Sequence, residues 1–124
     1  MKTNEIVWQK LEIKKSQFFS YLFKVESVEE FESMLEKIKQ DFKKATHFCY
    51  GLLINNNVVI EKCSDDGEPC GTAGKPILGV MKKNNISNAC LIVVRYFGGI
   101  KLGAGGLLRS YIKSSALAIS NSKK

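Results

Sequence analysis

The spacing of apolar and polar positions changes several times along the chain, and each change marks an element. Over residues 6–25 apolar side chains recur at every second position, most regularly at Phe19, Tyr21, Phe23 and Val25. A period of two places these residues on one face of a sheet, so the stretch predicts a two-stranded hairpin with its turn at residues 14–17. Residues 28–43 change to helical spacing, with Val28, Phe31, Leu35, Ile38 and Phe42 on one face. Ser27 and Glu30 have the spacing of a capping box, which marks the helix start. Lys37, Lys39, Lys43 and Lys44 gather in its second half, where the helix dipole favours cations.

A second hairpin is predicted over residues 47–54 and 58–63. Asn55, Asn56 and Asn57 form its turn, because asparagine tolerates left-handed backbone. Residues 64–74 read as a polar, glycine-bearing loop, and Pro76 opens a short helix over 76–83. After a turn at 84–88, residues 89–97 form a near-continuous apolar run, the pattern of a central strand buried on both faces. The last helix starts near 103–106 and runs to about residue 120. Leu108, Ile112, Ser115 and Ile119 are expected on its core face, flanked by Leu107, Tyr111 and Ala118. The order β-β-α-β-β-α-β-α predicts an α+β protein: a two-layer sandwich with a mixed sheet and its helices on one face. One domain is expected over residues 1–120, followed by a polar tail at 121–124.

Composition adds a bias toward anionic partners. The 124 residues are 44% hydrophobic, enough to bury one core without metal or disulfide staples. Nineteen Lys and Arg against 12 Asp and Glu give a net charge of +7, which attracts polyanions such as RNA. The start, MKTNEIVWQK, has no apolar leader, and the aliphatic run at 89–94 is too short to span a bilayer. Cys49, Cys63, Cys70 and Cys90 form no C-x-x-C pair, so nothing in their spacing supports a zinc ribbon. The expectation is a cytoplasmic protein with free thiols and no membrane partner.

Two dense motifs carry the candidate chemistry, SDDGEPCGTAGKP at 64–76 and RYFGGIKLGAGGLLR at 95–109. Neither is a known phosphate loop. Pro76 follows Gly74-Lys75 where a P-loop needs Ser or Thr, and Leu108 stands where a dinucleotide fingerprint needs its third glycine. The second motif is still a strand, a glycine-rich turn and a helix N-terminus, a junction that binds anions through bare N–H groups. The anion-binding candidates are Arg95, Tyr96, Gly98, Gly99, Lys101, Gly103, Gly105, Gly106 and Arg109, with Lys75 from the first motif. The competing reading is steric: glycines permit positive φ and close helix–sheet contact.

Asp65, Asp66 and Glu68 are candidates to hold Mg²⁺ or to act as acid or base, against the alternative that Asp-Gly and Glu-Pro simply make a turn. His47 is the only histidine. It shares a strand face with Cys49, and with Cys63 or Cys70 the two are open to a metal or nucleophilic role, or to plain packing. No motif passes a test for catalysis, so the reading leans away from an enzyme.

These two motifs strongly resemble those of the YigZ/IMPACT family, in the stretches SDDGEPCGTAGKPIL and VVRYFGGIKLGAGGLLRSY. KSQFF at 15–19 and ATHFCYG at 45–51 resemble further landmarks of that family. The resemblance covers nearly the whole chain. It implies the fold of the second domain of a small-subunit ribosomal protein and of domain IV of the bacterial translocase. Bacterial members usually carry a ferredoxin-like second domain, which the sequence here does not include. Eukaryotic members resemble regulators of translation.

The leading expectation is a binding or regulatory module associated with RNA or translation. Arg95, Lys101 and Arg109 would contact phosphates, and Tyr96 or Phe97, if exposed, would stack on a base. Its partner would be RNA or a ribosome-associated component. The alternatives are a small enzyme acting on a phosphorylated ligand, with Mg²⁺ as its cofactor and His47 assisting, and a protein–protein adaptor.

Overall fold

The computed structural model describes residues 8–122. Eight elements follow in the expected order: β1 (Gln9–Ile13), β2 (Ser16–Lys24), α1 (Val28–Asp41), β3 (His47–Asn55), β4 (Val59–Ser64), α2 (Gly74–Lys83), β5 (Ala89–Tyr96) and α3 (Gly103–Ser122). The part of the first predicted strand before Trp8 lies outside the described residues. Residues 121 and 122, expected in a polar tail, continue α3.

The five strands form one sheet in the order β1-β2-β5-β3-β4. Every neighbouring pair is antiparallel, so the sheet is not the mixed one expected. The reason lies in the crossovers. The β2-α1-β3 connection passes over β5, and the β4-α2-β5 connection passes over β3. Each helix joins two strands of the same direction, and an opposed strand sits between them.

The α+β class stands, and α2 and α3 pack together on one face as expected. Leu91 and Val93 of β5 meet Ile77 and Met81 of α2 and Leu107 and Tyr111 of α3 there. In contrast with the expectation of helices on one face, α1 covers the other. Its Phe31 and Ile38 are buried with Phe23, Leu52, Ile54 and the alternate β5 residues Cys90, Ile92 and Val94. β5 is therefore buried on both faces, in keeping with its unbroken apolar run. The Ser27 hydroxyl accepts from the Glu30 N–H at 3.1 Å and fixes the start of α1.

Two local expectations are corrected. α3 buries Leu107, Ser110, Tyr111, Ser114, Ser115, Ala118 and Ile119, while Leu108 and Ile112 are 40% and 42% exposed. The buried stripe includes three serines, whose small side chains allow close approach to the sheet, and a purely hydrophobic count places the stripe one residue too far round. The β3–β4 turn also contains no positive-φ asparagine; those are Asn85 and Asn88, at 56° and 52°. Among the described residues no helix is long and apolar enough to cross a membrane.

Candidate functional site

The site forms where β5 ends, on the face that carries α2 and α3. Arg95 lies opposite His47 of β3 and Phe18 of β2 in the sheet register. Opposed residues share a face, so these three side chains stand in a row, with Cys49 two residues further along β3. The SDDGEP loop folds over this row, and Tyr111 reaches it from α3.

Glu68 is the centre. Its carboxylate accepts from Arg95 Nη1 at 2.9 and 2.7 Å and from the Tyr111 hydroxyl at 2.5 Å, and His47 Nε2 lies 3.5 Å away. The Glu68 and Arg95 side chains are 2% and 5% exposed. A charge taken this far from water needs a partner, and here each supplies the other's. Arg95 Nη2 also donates to the Ser16 hydroxyl at 3.2 Å, which in turn accepts from the Gly98 N–H. The guanidinium lies 5.6 Å from the Phe18 ring centre and 5.5 Å from that of Phe97. Among the described residues Arg95 Nε has no hydrogen-bond partner. Burial pushes the Tyr111 hydroxyl well above its ordinary pKa, so it stays a neutral donor to Glu68. Burial raises the Cys49 thiol in the same way, which removes it as a ready nucleophile.

The neighbouring aspartates have other partners. Asp65 Oδ1 accepts from Ala73 N at 3.1 Å and Gly74 N at 2.8 Å, and Oδ2 accepts from Gly71 N at 2.9 Å. It thereby caps α2, whose own N-cap residue, Ala73, has no side-chain oxygen. Asp66 Oδ2 accepts from Phe48 N at 2.7 Å and ties the loop to β3. The Asp66 carbonyl accepts from His47 Nδ1 at 2.8 Å, which assigns a proton to Nδ1. The three acidic groups thus diverge, and among the described residues no three His, Cys, Asp or Glu side chains are placed to hold a metal. Cys63 and Cys70 are exposed free thiols.

Asp65 carries a pH prediction. Burial raises its pKa, but the N–H groups of Gly71, Gly74 and Ala73 outweigh that and, with Lys75, hold it below the ordinary carboxylate value. A depressed folded-state pKa contributes stability that is present above the unfolded value of about 3.9 and is lost as pH falls through the folded value. Urea midpoints of wild type and Asp65→Asn should therefore differ most near neutrality and converge as pH falls below about 4.

An open cleft of about 410 Å³ lies against this cluster. Pro69, Phe97, Leu102, Ala104 and Leu107 give it apolar walls, and Thr46, His47, Arg95, Lys101 and Gly103 give polar edges. The two sequence motifs therefore meet, with Pro69 from one and Phe97 to Leu107 from the other. Of the anion-binding candidates, Arg95, Lys101 and Gly103 line the cleft. Arg95, expected to contact phosphate, instead pairs with Glu68. Tyr96 is turned to the α1 face, against Phe19 and Phe42. Gly98 is in close contact with the β1–β2 turn, where an added Cβ would lie 2.0 Å from the Lys15 carbonyl oxygen. Gly99 and Gly103 have φ of 90° and 75°, Gly105 lies beside the Arg109 guanidinium, and Gly106 lies beside Leu102. Lys75 sits on α2, outside the cleft lining. Sequence reasoning did not assign Tyr111 or Ser16 to the site. A tyrosine and a serine at otherwise apolar, inward-facing positions are the signal that marks them.

The Impact N-terminal domain family matches residues 14–119. The chain is 50% identical over 102 residues to the IMPACT family member YvyE of Bacillus subtilis (strain 168), covering 82% of this chain and 47% of that protein. It thus spans about half the length of that relative. A crystal structure described as that of an hypothetical protein superposes with a TM-score of 0.87 at 34% identity, over 94% of this chain and 58% of the other. The two-domain translational regulator Yih1 shares the fold, with a TM-score of 0.64 at 20% identity over 98% of this chain and 48% of that one. With its fold and both motifs in place, the chain belongs to the Impact N-terminal domain family.

Proposed function

We propose that this domain is an RNA-binding module associated with translation, and that it holds RNA phosphates at the start of α3. The observation that supports this most directly is the cleft at that helix end. Gly103 and Ala104 line it beside Lys101, and the first turn, Gly103 to Gly106, carries no side chain larger than a methyl group. Arg109 stands one turn further along the helix, next to Gly105. The net charge of +7 favours a polyanion. The translational setting agrees with the role named for the structural relative Yih1.

Fluorescence anisotropy with single-stranded RNA tests the reading. For roughly three phosphate contacts, raising salt from about 50 to 200 mM should weaken binding by about 10- to 20-fold. Lys101→Ala with Arg109→Ala should weaken it further at low salt and flatten the salt dependence. Affinity indifferent to both salt and the double variant would defeat the proposal.

A second reading, an enzyme acting on a phosphorylated ligand, is favoured by one observation: His47 lines the cleft with Nε2 directed at the buried Glu68. It would use these two groups as an acid–base pair, since both aspartates are bound to backbone N–H groups. A thermal-shift screen of phosphorylated metabolites that gives no stabilisation would eliminate it.

A further inference from the structure

We infer that the cleft receives one unpaired nucleotide, its base stacked on Phe97 and its phosphate on the first turn of α3 and Lys101. This rests on the RNA-binding reading above and narrows it from RNA in general to nucleotides outside a duplex.

Phe97 carries the argument. It is 47% exposed, an unusual position for a large apolar ring, and it lines the cleft rather than a packed interface. Its place is fixed. The Phe97 N–H donates to Thr46 Oγ1 at 3.0 Å, and the Arg95 guanidinium lies 5.5 Å from the ring centre. A ring in the cleft wall beside that guanidinium is a stacking platform for a base. Arg95 is itself locked by Glu68 and Ser16, so its support does not depend on the ligand.

The rest of the cleft suits the same occupant. Pro69, Leu102, Ala104 and Leu107 provide apolar contact for a planar ring, and a volume of about 410 Å³ is that of a small-molecule site. A base pair inside a helix offers only its edges, because both faces are stacked. A stacking platform in a cleft of this size therefore selects an unpaired base.

The start of α3 and Lys101 provide for a phosphate beside it. Among the described residues no side chain accepts from the N–H groups of Gly103 to Gly106, whereas Ser27 caps α1 and Asp65 caps α2. Lys101 lines the cleft beside that turn and adds a positive charge.

The test uses a single-stranded RNA octamer carrying 2-aminopurine, the same octamer in a duplex, and free nucleoside monophosphates as competitors. Stacking on Phe97 should quench the 2-aminopurine fluorescence on binding. Phe97→Ala should abolish the quench and weaken single-strand binding by about tenfold or more. Phe97→Trp should retain both. The duplex should bind at least about tenfold more weakly than the single strand, in line with the same stacking contribution. Competition by free monophosphates would show that the isolated nucleotide suffices, and a quench without competition would assign the site to nucleotides within a chain.

Equal affinity of wild type and Phe97→Ala, with no quench, would overturn the inference. So would equal affinity for duplex and single strand. If binding in those cases still depended on salt and Lys101, the RNA-binding reading would survive. Absence of binding to every RNA form would remove both. Phe97→Trp keeps a ring over the Arg95 guanidinium and should melt close to wild type, so it separates the loss of stacking from any loss of stability in Phe97→Ala.

Discussion

Glu68→Ala should destabilise the domain by about 3–5 kcal/mol, the largest single-residue effect expected outside the apolar core. The carboxylate is not valuable because ion pairs in general are strong. Its importance is that Arg95 cannot return to water when Glu68 is removed. The guanidinium is held between the Phe18 and Phe97 rings, with its side chain 5% exposed, and the variant would leave it charged and unpaired. The Tyr111 hydroxyl would lose its acceptor in the same step. Glu68→Gln keeps the shape and one acceptor oxygen, so its cost should be smaller. Arg95→Met should be about as damaging as Glu68→Ala, because it strands the carboxylate instead. Combining Glu68→Leu with Arg95→Met should cost less than the sum of the single changes, since neither charge is then left alone. Urea denaturation of the four chains measures this coupling. A Glu68→Ala variant within about 1 kcal/mol of wild type would show that water reaches Arg95 and that the pair is not a structural centre.

Gly98→Ala should be the second large effect, about 1–3 kcal/mol in urea denaturation. An added methyl group would lie 2.0 Å from the oxygen and 2.1 Å from the carbon of the Lys15 carbonyl. Both are backbone atoms, so no side chain can rotate out of the way. The β1–β2 turn would have to move, and it is already constrained: Lys14 and Lys15 have φ of 47° and 72°. Gly99→Ala is the informative contrast. A Cβ there meets nothing within 4 Å, but φ is 90°, so its cost of about 1–2 kcal/mol would come from backbone strain alone. Amide shifts at residues 14–17 should change in the Gly98 variant and remain in place in the Gly99 variant. The glycine-rich turn is thus sterically required at Gly98 and leaves a bare helix end at Gly103. The steric and anion-binding readings of this stretch concern different glycines.

What the linear pattern determined is what short-range physics controls. The alternation of Phe19, Tyr21 and Phe23 was enough to place β2, and these residues do share the α1 face. Ser27 and Glu30 were enough to start α1, because the capping bond joins residues three apart. The unbroken run after Asn88 was enough to place β5 at the centre. The two motifs also carried the family and the neighbourhood of the site. Only the tertiary structure decided how these pieces face one another. No local signal says that each helical crossover passes over an intervening strand, so the sheet reads as mixed from the sequence although it is antiparallel. The core stripe of α3 was misplaced because its serines are buried through close contact with the sheet, not through their own hydrophobicity. The same holds for the charges. Asp65, Asp66 and Glu68 look alike in a row of four residues. One caps a helix nine residues away, one ties down a strand 18 residues back, and one meets Arg95 and Tyr111 across 27 and 43 residues. A carboxylate takes its role from the donors that the fold brings to it, and pairings over such separations form only when the sheet and α3 are assembled.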